Sequence, residues 1–283
     1  MFPTPIEQTS RPVRWLYKFT LPIAVIAWLL PLFAVMMTSV RSLQDINEGN
    51  YWGVPSQWML IENYSQVFES TPMLQYLFNS LLITVPAMLG AVALSALAGY
   101  ALAKYRFRGN LLMLAIFIGG NFVPFQILMI PVRDLTIATG MYDTVWALII
   151  FHIAFQAGFC TLFMRNFIIG LPDELIESAR LEGASEWRIF YRIIIPLVRP
   201  ALAALAVLIF TFVWNDYFWA LVLVQSDEVR PVTAGLSALK GQWLASWQLI
   251  SAGSVVAALP PVALFFVMQR HFIAGLTLGS VKG

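Results

Sequence analysis

Hydrophobic positions along this chain gather into six blocks of about 20 residues, each long enough to cross a hydrocarbon core of about 30 Å as a helix. They run from Phe19 to Val40, Tyr76 to Ala103, Leu111 to Val132, Thr144 to Met164, Ala201 to Val224 and Leu249 to Met268. The first block is too long for a signal-peptide core, is interrupted by Pro22 and Pro31, and lacks a small-residue cleavage site, so it is expected to stay as a membrane helix. Pro86, Gly90, Pro124, Pro260 and Pro261 fall inside blocks. Membrane helices tolerate such residues where neighbouring helices or cavity water satisfy the freed backbone groups, which implies a packed bundle rather than lone anchors. The pattern predicts an all-α membrane protein of six transmembrane helices, with residues 1–283 as a single domain.

Composition narrows the function. Of 283 residues, 59% are hydrophobic and 11% charged, against roughly 25% charged in a soluble domain. A water-soluble enzyme and a disordered chain are both excluded. A net charge of +2 gives no reason to expect a nucleic-acid partner. The one cysteine, Cys160, permits no internal disulfide and lies in an apolar run, where a packed, inert thiol is expected. There is no phosphate-binding loop of the Gly-x-x-x-x-Gly-Lys-Ser/Thr type and no zinc-type spacing, so the chain is expected to bind no cofactor or metal and not to be an enzyme.

The distribution of charge says more than its sum. The N-terminus, the second and fourth connections and the C-terminus carry 13 of the 17 basic residues, from Arg11, Arg14 and Lys18 to Arg270 and Lys282, against six acids. The alternate connections hold only Arg41, Arg133, Arg230 and Lys240 against eight acids. Basic connections stay in the cytoplasm, which places both termini inside.

The longest inner connection, residues 165–200, has its own punctuation. Pro172 suits a first helical turn, Asp173 and Glu174 sit near the positive end of a helix dipole, and Leu175, Ile176 and Ala179 share a face. Gly183 is a stop, and Ser185 then caps a second helix whose stripe of Trp187, Phe190, Ile193 and Ile194 runs until Pro196. The spacing predicts two short helices meeting at a glycine elbow, with a small-residue patch at Ala179, Gly183 and Ala184 able to fit a groove on a partner. The simpler reading, a helix lying on the bilayer, fits poorly with Glu177, Glu182 and Glu186 beside anionic lipid.

The run Glu177-Ser178-Ala179, then Gly183, then Ile193-Ile194-Ile195-Pro196 resembles the EAA motif of ATP-binding cassette importer permeases, with Ser178 in place of an alanine and Glu182 in place of an aspartate. Further similarity lies at Asn63-Tyr64, Asn79-Ser80, Tyr100-Ala101, Arg106-Phe107-Arg108-Gly109, Trp214-Asn215, Gln269-Arg270, Gly275-Leu276 and Val281-Lys282-Gly283. Together these resemble the carbohydrate-uptake subfamily that includes the smaller maltose permease subunit. The resemblance implies a six-span permease of the MetI-like fold in a bacterial or archaeal plasma membrane. It would pair with a second permease, receive a sugar from an extracytoplasmic binding protein, and dock through Glu177, Ser178, Ala179, Gly183 and Ala184 into a cleft on one of two cytoplasmic ATPase subunits that hold ATP and Mg²⁺.

Candidate residues for a substrate path lie at membrane depth. Span five contains Trp214-Asn215-Asp216-Tyr217-Phe218-Trp219, which offers a carboxylate, an amide and flat aromatic faces, the groups that bind sugars. Asn215, Asp216, Tyr217 and Trp219 are therefore candidates. Equally open is a structural role in which Asp216 bonds a helix end and the aromatics pack. His152 and Gln156 stand one turn apart on span four and could look along one face toward a cavity, while a lone membrane histidine more often donates a hydrogen bond to a neighbouring helix than binds a metal. Asn121 flanks Pro124 with Gln126, a sequence suited to a locally broken helix near a path, though interhelical packing by these polar groups is the simpler role. The resemblance also implies that the sugar site can rest mostly on the partner permease. The outer segment Tyr51 to Pro72 is a binding-protein surface or an interfacial cap, and Gly275 to Gly283 is a small, flexible ending. A secondary transporter or channel is the alternative, but no repeat-related halves are found.

Overall fold

The computed structural model describes residues 10–239 and 246–278, which are helical with no strand among them. Lys240, Lys282, Glu7 and the end of the expected flexible tail lie outside the described residues. The chain groups into two compact units, residues 1–71 with 238–256 and residues 72–237 with 257–283.

The first unit begins with α1 (Arg11–Ser39), a helix of 29 residues with Pro22 and Pro31 in its interior. Its apolar stretch buries nothing, as suits a helix whose surroundings are lipid or another subunit. Two short helices follow, α2 (Leu43–Asn47) and α3 (Leu60–Ser70). The buried Asn63 ties α3 to the end of α1 by donating to the carbonyls of Ser39 at 3.0 Å and Arg41 at 2.8 Å. Tyr64 adds a hydroxyl contact to Ser39 Oγ at 3.1 Å.

The second unit is built around α4 (Met73–Lys104), α5 (Asn110–Gly120), α6 (Met129–Ala138) and α7 (Val145–Ile169). The helices α4 and α7 pack along their length, with Ala87, Ala91, Ala96 and Cys160 buried between larger neighbours. Close approach requires Gly99, where a Cβ would stand 2.9 Å from the Arg165 backbone nitrogen and from Met164 Cβ. The expected break in span three is present: α5 and the stretch Phe125–Ala138 meet at 90° on either side of Pro124.

After α7 come α8 (Glu174–Leu181), α9 (Glu186–Ile189), a π-helical turn (Phe190–Ile194), α10 (Ile195–Leu197) and α11 (Arg199–Trp214). The second loop helix does not end at Pro196, as its sequence suggests, but runs on to Leu197 before bending 75° into α11. Proline has no N–H to give the carbonyl four residues back and crowds it. The wider π turn, in which Ile195 N–H reaches Phe190 O, loosens the helix just ahead of that ring.

Span five, expected to be continuous from Ala201 to Val224, is broken. It stops at Trp214 and resumes as α12 (Phe218–Leu223). Polar side chains at the break bond the local backbone: Asn215 Nδ2 donates to Thr211 O at 2.8 Å, and the Asp216 carboxylate takes the N–H groups of Trp219 and Ala220 at 3.3 and 3.1 Å. The chain then forms α13 (Val232–Gly235) and α14 (Trp247–Leu278). Trp214 Nε1 donates to Ala257 O at 3.0 Å, fastening the end of α11 to α14.

Candidate functional site

Two sites emerge in the second unit. The first is the loop between α7 and α11, whose elbow is built by backbone geometry. Gly183 has φ +78°, in the left-handed region that favours glycine. There the Gly183 N–H donates to Arg180 O at 3.0 Å and the Ala184 N–H to Ala179 O at 2.9 Å, the paired bonds of a Schellman ending. The Ser185 hydroxyl then accepts from Arg188 N–H at 3.4 Å and opens α9, as its sequence position suggests. Glu177 and Ser178 are exposed on α8, Gly183 is exposed at the elbow, and Ala179 and Ala184 are half-buried. Leu181 stands 91% exposed at the tip, an apolar side chain with nothing among the described residues to cover it.

The back of the loop is fixed to the bundle. Ile176, Ile189, Phe190 and Ile194 are buried in the same core as Tyr100, Met164 and Leu205 of the spans. Each such side chain contributes about 1.5–3 kcal/mol when fully buried. Polar contacts add direction. The Glu186 carboxylate accepts from Tyr100 at 3.0 Å and from Tyr105, and it takes Arg180 Nε at 2.7 Å and Nη2 at 3.3 Å. The Arg180 guanidinium, with the two phenols, holds the Glu186 carboxyl down at about 2. On the other side Lys104 donates to Leu171 O at 2.7 Å and pairs with Asp173 at 2.6 Å, which keeps Asp173 below the usual carboxylate range. This clamp joins the end of α4 to both loop helices. In the sequence Glu186 stands out only as a charge that anionic lipid would repel. Its partners, Tyr100 and Tyr105 at the C-terminal end of α4, lie 86 and 81 positions back along the chain.

The second site is a cavity of about 370 Å³ at the break of span five. It brings together Asn121, His152, Gln156, Asp216 and Trp219, five of the seven path candidates. Asn215 and Tyr217 do not line it; both are exposed, and Asn215 is turned back on its own helix. His152 is buried, its Nε2 stands 3.6 Å from Asp216 Oδ2, and its Nδ1 has no hydrogen-bond partner. The rest of the wall is aromatic: Phe125, Phe151, Phe155, Phe159 and Phe212. Trp219 lies against Phe151 with ring centroids 3.9 Å apart. These phenylalanines carry no signal in the sequence, because a lipid-facing and a cavity-facing phenylalanine read alike. A neighbouring cavity of about 390 Å³ shares Asn121, Phe151 and Phe155 and continues the space along α5 and α7. Here both readings of Asp216 meet in one residue, since its carboxylate caps α12 while facing the cavity. Such a chamber can bind a ligand by stacking and by hydrogen bonds. Among the described residues no group of His, Cys, Asp or Glu is placed to hold a metal.

Comparison with known proteins agrees with this architecture. The osmoprotective compounds uptake permease protein GgtD of Synechocystis is 35% identical, over 98% of this chain and 96% of its own. The arabinooligosaccharides transport system permease protein AraQ of Halalkalibacterium halodurans is 33% identical, over 98% and 99%. A solved chain of a bacterial ABC transporter that imports the acidic polysaccharide alginate superposes with a TM-score of 0.80 at 23% identity, covering 95% of this chain and 100% of that one. Likeness at that identity speaks for the fold. Residues 91–277, which hold the clamped loop and the aromatic cavity, match the model of the binding-protein-dependent transport system inner membrane component. The chain belongs to that family of membrane-embedded transport permeases.

Proposed function

We propose that this chain is one of two permease halves of an ATP-driven, binding-protein-dependent importer for a carbohydrate, such as an oligosaccharide, a disaccharide, a polyol or a sugar derivative. It sits in a bacterial or archaeal plasma membrane with both termini in the cytoplasm. A second permease completes the path, an extracytoplasmic binding protein delivers the sugar, and two ATPase subunits carry ATP and Mg²⁺. The observation that carries the reading is the inner loop: an exposed tip around Gly183 and Leu181 on a base buried in the span core. The charge asymmetry of the connections supports the orientation. The relatives named for arabinooligosaccharide and osmoprotectant uptake support the cargo class, as does a cavity that offers a carboxylate, two amides, an imidazole and aromatic faces.

The geometry gives the coupling a physical form. Glu177, Ser178, Ala179, Gly183 and Ala184 present the tip to an ATPase groove, and Leu181 supplies an apolar anchor. Because four apolar side chains at the loop's base are buried with the spans, detaching it costs about 6–12 kcal/mol. A push on α8 is therefore passed to α4, α7 and α11 instead of being lost in the loop. Within the bundle, Asn121, His152, Gln156, Asp216 and Trp219 form this half's contribution to the path, as proposed contacts for sugar hydroxyls and ring faces.

A cysteine at Leu181, in a Cys160→Ser background, tests the reading. In the assembled complex it should cross-link to the ATPase subunit and, in intact cells, stay closed to an impermeant reagent added outside. Cross-linking to lipid alone, or labelling from outside, would overturn the proposal.

A further inference from the structure

The end of α1 holds a charge without an answer. Arg41 is 1% exposed, yet among the described residues only its Nη2 has a partner, the carbonyl of Gly53; Nε and Nη1 have none. The nearby acid does not supply one. Asp45 is occupied by neutral donors, Asn50 Nδ2 on Oδ1 at 3.2 Å and Ser56 N–H on Oδ2 at 3.0 Å, and among the described residues no ion pair includes Arg41. A buried guanidinium with two unpaired nitrogens calls for an anionic or strongly accepting oxygen from outside the chain.

The space for that group is a cavity of about 220 Å³ that Arg41 lines. One wall is the last turns of α1, Phe33, Ala34 and Met37; the other is Tyr51, Trp52 and Trp58. The tryptophans are 67% and 62% exposed, and they stand at the end of a helix whose apolar length is uncovered. Amphipathic aromatics beside a membrane helix end mark the headgroup level of a bilayer. Arginine binds phosphate oxygens through charge-assisted hydrogen bonds.

We propose that this cavity is a phospholipid site, with the lipid phosphodiester answering the Arg41 guanidinium, the glycerol region between Trp52 and Trp58, and an acyl chain along Phe33 and Met37. An acidic peptide or free phosphate would use the guanidinium but leave the apolar wall without a purpose; a lipid uses both. The volume suits a phosphodiester with its glycerol carbons, while the chains remain outside along α1. The proposal concerns how this unit is seated in its membrane and holds whatever the cargo.

The test is native mass spectrometry of the full-length chain in detergent, titrated with dioleoyl-phosphatidylglycerol. The wild type should retain one tightest-bound lipid, and Arg41→Gln should weaken that retention by about tenfold, the scale of one charge-assisted bond. Arg41→Lys should keep part of it. Ala34→Phe, which fills the cavity and leaves the charge, should lose it as well, and this decides the matter if Arg41→Gln fails to fold. Equal retention in wild type and Ala34→Phe, equal retention in wild type and a folded Arg41→Gln, or equal retention of dioleoylglycerol, which lacks the phosphate, would overturn the site. So would displacement of the lipid by millimolar inorganic phosphate, which would indicate a free-anion site.

Discussion

Replacement of Gly183 separates the two reasons a glycine can be needed at the elbow. A Cβ built there meets nothing within 4 Å, while φ is +78°. Within this chain the demand is therefore conformational and not one of space. A side chain in the left-handed region costs about 1–2 kcal/mol, more when β-branched and less for asparagine, whose short polar side chain bonds locally. That penalty acts on the Schellman pair as a unit, since the bonds of Gly183 and Ala184 form only with the residue in this region. A loss of 1–2 kcal/mol shifts the population of a formed elbow by about 5- to 30-fold. Gly183→Asn should stay near wild type, Gly183→Ala should lose about fivefold, and Gly183→Val should lose uptake and binding-protein-stimulated ATP hydrolysis together. All three should insert at equal yield. The assay is sugar uptake and stimulated hydrolysis by the complex reconstituted in liposomes. Asparagine as damaging as valine would refute the argument, because it would mean that a partner surface, and not the backbone angle, demands glycine. Valine equal to glycine would refute any role for the elbow.

Two further perturbations address the clamp and the cavity. Glu186→Gln keeps the size and the phenol contacts but removes the counter-ion of Arg180; with both side chains more than a third exposed, the ion pair is worth only about 0.5 kcal/mol, so protein yield should hold while uptake falls by about twofold, and normal uptake would assign the clamp to the buried core alone. Because the folded-state pKa of Glu186 lies below its unfolded value, its contribution is complete above about 4.5 and fades as pH falls toward about 2; stimulated hydrolysis should thus show no step from this group between pH 5.5 and 7.5, and a Glu186-dependent step there would contradict the assignment. Asp216→Asn retains a capping oxygen for α12 and should assemble normally with altered uptake at limiting sugar, whereas Asp216→Ala loses the cap, at a cost of about 0.5–2 kcal/mol; identical uptake by wild type and Asp216→Asn would leave the residue a cap only.

Much of this was legible because strong local chemistry decides it. Runs of apolar residues set the spans, Pro124 broke span three where its polar neighbours suggested, and Gly183 and Ser185 ended and began helices as their residue types demand. Span five was harder. Its break hides in a hydrophobic run, and only Asn215 and Asp216 mark it, by competing for backbone N–H and carbonyl groups that a continuous helix would have used. The cavity was half legible: His152 and Gln156 at one-turn spacing, with Asn121 and Asp216, announced themselves as polar groups in an apolar setting. Its phenylalanines did not, and neither did the Glu186 clamp, whose partners come from 81 and 86 positions back along the chain. Contacts at that separation are set by how α4 and the loop pack, which no local pattern encodes.

The central claim, an ATP-driven permease half coupled through the inner loop, is tested most directly in proteoliposomes. They would hold this chain, its partner permease and the ATPase pair, with ATP enclosed and binding protein loaded with radiolabelled sugar outside. The account predicts accumulation that needs every component and stops when hydrolysis is blocked. Accumulation by this chain without the ATPase, or in the absence of ATP, would contradict it.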